Sequence, residues 1–104
     1  MSFRRYEIIL PTQYNDGTLV EQAEFLASNR DLAAQFGAVS FLPETLRGLW
    51  IHQGRRFEET NVRLFVDVED TPQAAEFFIG FKETLKARFR QIDIWIVSYE
   101  IGIT

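Results

Sequence analysis

The chain has 104 residues, with 11 Lys+Arg against 15 Asp+Glu, a net charge of −4, a single His and no Cys. A composition of 46% apolar and 25% charged residues excludes disorder and fibrous repeats, and the length suits one domain with one core. The lack of Cys removes disulfides, thiolate metal sites and Cys nucleophiles together. No apolar run approaches the ~20 residues of a membrane helix. The opening Met1-Ser2-Phe3-Arg4-Arg5-Tyr6-Glu7 has no apolar secretion stretch. A cytoplasmic location without a membrane partner is therefore expected.

Phe3 to Leu10 reads as a strand, with Tyr6, Ile8 and Leu10 on one face and Arg5, Glu7 and Ile9 on the other. Pro11 ends it, and Asn15-Asp16-Gly17 is turn chemistry. Thr18, with Glu21 three residues on, forms a candidate capping box for a helix reaching about Phe36. Phe25, Leu26, Leu32, Ala33 and Phe36 make its apolar stripe, with Ser28 and Asp31 on the opposite side. Asn29 interrupts that stripe and leaves room for a break at Ser28 or Asn29. Gly37 is placed to stop the helix.

Residues 38–46 are ambiguous, because Pro43 limits any strand there. Leu46 to His52 and Arg55 to Glu69 flank Gln53-Gly54, a β-hairpin signature. The loop is two or three residues long, and only a two-residue loop pairs His52 with Arg55 and Trp50 with Phe57, so the register stays open. Asp70 or Thr71 caps a second helix with Pro72 at its start. Its stripe is Ala74, Phe77, Phe78, Phe81, Leu85 and Phe89, and Lys82, Lys86, Arg88 and Arg90 gather toward its C-terminal end. Gly80 falls mid-helix, either for a close neighbour or simply tolerated. Ile92 to Thr104 is a long strand, apolar on both faces.

The order strand, helix, strand, strand, helix, strand is the split βαβ or ferredoxin-like pattern. It predicts an α+β domain spanning 1–104, with a four-stranded antiparallel sheet and two helices on one face. The first and third strands are central. One helical layer leaves the other sheet face to solvent, a ligand or a partner.

Chemical signatures are sparse. There is no P-loop, dinucleotide fingerprint, nucleophile elbow or zinc-protease motif. One His is a poor start for a zinc site, so neither a metal nor a cofactor is expected. Trp50, His52 and Glu58 or Glu59 on the hairpin could join a His to a carboxylate for acid–base work. An exposed charged hairpin that resists aggregation explains the same residues without chemistry. Tyr6, Phe65, Trp95 and Tyr99 would floor an aromatic pocket if all four lay on the open sheet face. RNA-recognition modules stack bases on such a face. The stretch 61–68 lacks their signature, and the net negative charge opposes phosphate, so nucleic acid is not expected as a partner.

Phe36-Gly37 before a strand, Gly48-Leu49-Trp50 followed by Gly54, and Glu58-Glu59 opening the third strand resemble small bacterial ferredoxin-like families of unknown function. The resemblance spans residues 36–100. It implies the fold, brings no activity, and singles out Gly48, Trp50 and Glu58. Dimeric α+β barrel proteins look similar in layout and pair their open sheet faces.

Two functional expectations follow. The first is a non-enzymatic binding or assembly module that homodimerises through the open face or the last strand, with Trp95, Tyr99 and Ile101 at the interface. The second is a small-molecule enzyme or carrier with Tyr6, Trp50, His52 and Glu58 lining an aromatic pocket.

Overall fold

A computed structural model describes the backbone of all 104 residues and the side chains of residues 1–42, 53–54 and 60–104. The elements are β1 (Phe3–Pro11), α1 (Gln22–Phe36), β2 (Ser40–His52), β3 (Arg55–Glu69), α2 (Pro72–Phe89) and β4 (Trp95–Ile101). The sheet is wholly antiparallel in the order β2-β3-β1-β4. This is the ferredoxin-like arrangement expected from the element order, with β1 and β3 central.

Alternation along the strands builds the core. Tyr6, Ile8 and Leu10 of β1 and Val62, Leu64, Val66 and Val68 of β3 are buried together with Leu32 of α1 and Ala74, Phe78, Phe81, Leu85 and Phe89 of α2. Both helices therefore cover one sheet face, as the apolar stripe of α2 requires. Phe78 stacks on Tyr6 at 3.8 Å between ring centroids and on Phe36 at 5.4 Å. Thr71 caps α2 by accepting from the Ala74 N–H at 3.2 Å, with Pro72 as the first helical residue.

Helix α1 differs from its sequence reading. It starts at Gln22, and its N-cap Glu21 makes no side-chain cap. The Thr18 capping box does not form, because the Thr18 amide and hydroxyl both donate to Asp16 Oδ1, at 2.9 and 2.6 Å. That local turn holds Thr18 outside the helix. The helix is unbroken at Ser28 and Asn29 and ends at Gly37 in the left-handed conformation, φ 83°. Its buried residues are Ser28 and Leu32, while Leu26 and Ala33 are exposed. The buried side of the helix is offset from its apolar stripe, with Phe25, Leu32 and Phe36 still on the core, and Arg88 of α2 reaches Ser28 Oγ at 3.0 Å and Asp31 at 2.9 Å. A buried hydroxyl with two partners is tolerated where a bare one is not.

Strand β2 runs through Pro43, with a register irregularity between Leu42 and Leu46 absorbing the proline. Gln53 and Gly54 both take positive φ, 51° and 75°, the signature of a two-residue primed turn. The resulting register pairs Trp50 with Phe57 and His52 with Arg55, as a two-residue loop dictates. Strand β1 pairs with β3 only from Asn61 to Glu69. The register of Arg47–His52 with Arg55–Thr60 is formed by β2 and β3.

Strand β4 is shorter than its apolar run. It spans Trp95 to Ile101, while Ile92 is 90% exposed before it and Ile103 lies beyond its end. The Lys82–Asp93 ion pair at 2.9 Å ties the loop ahead of β4 to α2. Among the described residues no helix is long and apolar enough to cross a membrane.

Candidate functional site

The sheet face opposite the helices carries two exposed aromatic side chains, Trp95 and Tyr99. Its residues follow from strand parity and register. Four rows run across β3, β1 and β4: Glu69–Phe3–Ile101, Asp67–Arg5–Tyr99, Phe65–Glu7–Val97 and Arg63–Ile9–Trp95. Trp95 is 65% exposed and Tyr99 43% exposed. The three interface candidates Trp95, Tyr99 and Ile101 thus share this face.

Polar groups on the face hold one another. Arg5 donates to both Asp67 carboxylate oxygens, at 2.7 and 2.9 Å, and lies 4.3 Å over the Phe65 ring. The bidentate carboxylate holds the Arg5 guanidinium proton well above its ordinary range. Tyr99 Oη donates to Glu7 at 2.6 Å, which raises the phenol pKa because ionisation would place two negative charges together. Arg63 approaches Glu7 only at 3.8 Å, and its buried Nε has no partner among the described residues. Glu69 is exposed and enters no ion pair among those described.

The expected four-aromatic floor does not assemble. Phe65, Trp95 and Tyr99 share the open face, but Tyr6 is 6% exposed on the helix side, against Phe78. Strand parity explains this, since Tyr6 alternates with Arg5 and Glu7. Tyr6 is a core residue and does not line a pocket over the open face. The side chains of Trp50, His52 and Glu58 lie outside the described residues. Their backbone register places Leu49 opposite Glu58 and Gly48 opposite Glu59.

The C-terminal cations of α2 are committed to structure. Lys82 pairs with Asp93, Lys86 with Glu83 at 3.3 Å and Arg88 with Asp31. Arg90 lies 4.4 Å over the ring of Tyr14. Tyr14 Oη in turn donates to Glu21, lowering that carboxyl and raising the phenol. These contacts pin the β1–α1 connection to the end of α2. Sequence reasoning missed this link, because Tyr14 and Arg90 are far apart in the chain. An open groove between the helices is lined by Asp31, Gln35, Glu76, Phe77, Gly80 and Phe81, among others. A Cβ at Gly80 would meet nothing within 4 Å, so the glycine is tolerated rather than required by a neighbour. Among the described residues no three of His, Cys, Asp or Glu gather as metal ligands.

No protein-family model matches the chain, and no curated protein matches it in sequence. Solved structures do match its fold. The divalent cation tolerance protein CutA1 from Thermus thermophilus superposes with a TM-score of 0.66 at 20% identity, covering 98% of this chain and 86% of that one. The fold is similar to that of CutA1. A phage SAM lyase in complex with S-methyl-5′-thioadenosine gives a TM-score of 0.69 at 13% identity, covering 98% and 90%. The Bacillus subtilis GlnK–ATP complex gives 0.61 at 16%, covering 96% and 82%. The likeness thus runs to named proteins rather than to the families of unknown function that residues 36–100 resemble. At these identities it speaks for the fold.

Proposed function

We propose that the protein is a non-enzymatic assembly module that homodimerises through its open sheet face. The observation that carries this reading is the uncovered face with Trp95 65% and Tyr99 43% exposed. Apolar groups of that size, clustered on one side of a sheet, favour a covering layer. A second copy supplies that layer without any further chain. Paired ions on the same face suit an interface, since each charge enters already compensated. Native mass spectrometry and light scattering on the purified protein at tens of micromolar test the proposal. A dimer supports it, and a monodisperse monomer overturns it.

A second reading draws on the complexes of the fold neighbours. The SAM lyase holds S-methyl-5′-thioadenosine and GlnK holds ATP. An adenosine-bearing small molecule is therefore the first ligand class to try, with Trp50, His52 and Glu58 as the residues to substitute. Calorimetric titration with ATP and with S-methyl-5′-thioadenosine tests it. No heat of binding with either compound removes this reading.

A further inference from the structure

The helix layer lies on the side of the sheet away from the open face, so self-association through that face leaves it uncovered. Helices α1 and α2 are tied across at two places. Phe36 meets Phe77 at 5.1 Å between ring centroids, and Arg88 reaches Ser28 and Asp31. The end of α1 thus meets the start of α2, and the two helices run antiparallel. Between the ties lies a groove of about 670 Å³. Ala34, Phe77, Gly80 and Phe81 make its apolar floor, with the two Phe rings stacked at 5.3 Å. Asp31 and Glu76 stand toward its opposite ends, and no cation lines it among the described residues. Arg88 engages Asp31 through Oδ2, and the Asp31 side chain stays 43% exposed. Glu76 is exposed.

Gly80 sits at the middle of this groove. Glycine weakens a helix more than any residue except proline. Nothing in its own chain needs it, since an added Cβ would meet open space. What the missing side chain provides is room for another backbone to come close. The lining of α2 runs from Glu76 to Thr84, a rise of about 12 Å along the helix. On a second helix, positions seven residues apart share a face and lie about 10 Å apart. We infer that the groove takes an amphipathic helix of a basic partner protein. Lys or Arg at its positions i and i+7 meet Asp31 and Glu76, and apolar residues at i+3 and i+4 pack over Gly80 between the Phe rings and Ala34. Helix-in-groove docking supplies the apolar part of the contact, and the two carboxylates select the charge of the partner.

The probe is a labelled Ala/Gln peptide of about 15 residues, long enough to form a helix, with Arg at i and i+7 and Leu at i+3 and i+4. It is titrated with the full chain by fluorescence anisotropy at low salt. The wild type is expected to bind it with a Kd of about 10–100 μM. The same peptide with Glu in place of both Arg is expected to bind at least about tenfold more weakly, as are Glu76→Lys and Gly80→Leu toward the Arg peptide. Gly80→Leu should also raise the urea midpoint, because Leu favours a helix over Gly. Stability and binding then move in opposite directions, which a glycine without a docking role would not produce. Absence of binding by the wild type overturns the inference. Equal binding of the Glu peptide overturns the basic partner, and full binding by Gly80→Leu places the contact outside the groove. Association of the wild type with itself that Gly80→Leu abolishes makes a second copy the occupant and overturns the partner helix. A wild-type monomer that binds the Arg peptide overturns the open-face dimer and leaves this inference standing.

Discussion

Substitution of Trp95 by Ala separates an interface residue from a structural one. Trp95 is 65% exposed, and a whole Trp side chain buries up to about 250 Å². Roughly 160 Å² of it is therefore open to water in the single chain. Full covering would contribute about 4 kcal/mol at ~25 cal/mol per Å², and half covering about 2 kcal/mol. A two-fold dimer carries two copies, so even half covering predicts a loss of about 4 kcal/mol in association, close to a thousandfold in Kd. The fold should barely respond, with a change inside about 0.5 kcal/mol, because the residue makes little of the core. Sedimentation equilibrium over a wide concentration range reads the first quantity, and urea unfolding of the dissociated chain reads the second. A variant that keeps wild-type unfolding and changes Kd less than tenfold would refute the reasoning.

Tyr6→Ala is expected to cost about 3–5 kcal/mol in urea unfolding, through a cavity and the lost Phe78 stack, whereas Tyr6→Phe stays within about 1 kcal/mol. A small effect of the Ala variant would place Tyr6 outside the core. Arg88→Met removes the donors to Ser28 and Asp31 and should cost about 1–3 kcal/mol, checked by the same unfolding curve. The phenol of Tyr99 has a raised pKa through its bond to Glu7, so its contribution is complete below the ordinary value of 10.0 and is lost as pH rises through the raised one. Tyr99→Phe should therefore flatten the alkaline fall of the melting temperature. The carboxyls of Glu21 and Asp93 are lowered by Tyr14 and Lys82 respectively, so their contributions are present above the usual carboxylate range and lost as acid reaches their lowered values. Lys82→Met should correspondingly reduce the acid sensitivity of the melting temperature.

Periodicity and turn chemistry alone determined the element order, the ferredoxin-like topology, the stop at Gly37 and a hairpin at Gln53-Gly54, while the choice of Thr71 over Asp70 as cap and the two-residue length of the loop came from the structure. Each of the former depends on neighbours within a few residues, where pattern and backbone preference act directly. The apolar character of both faces of the last strand also pointed to an uncovered sheet side. Tertiary structure alone decided which aromatics share that side, because a strand shows parity but not which parity meets the helices until the layers pack. That is why Tyr6 parted from Phe65, Trp95 and Tyr99. The burial of Ser28 was likewise invisible in the chain, since it depends on Arg88 arriving from a helix 60 residues away. The rows of the open face arise in the same way. Arg63 and Glu69 lie on one strand, but their opposition to Ile9 and Phe3 comes from register, which long-range pairing alone fixes.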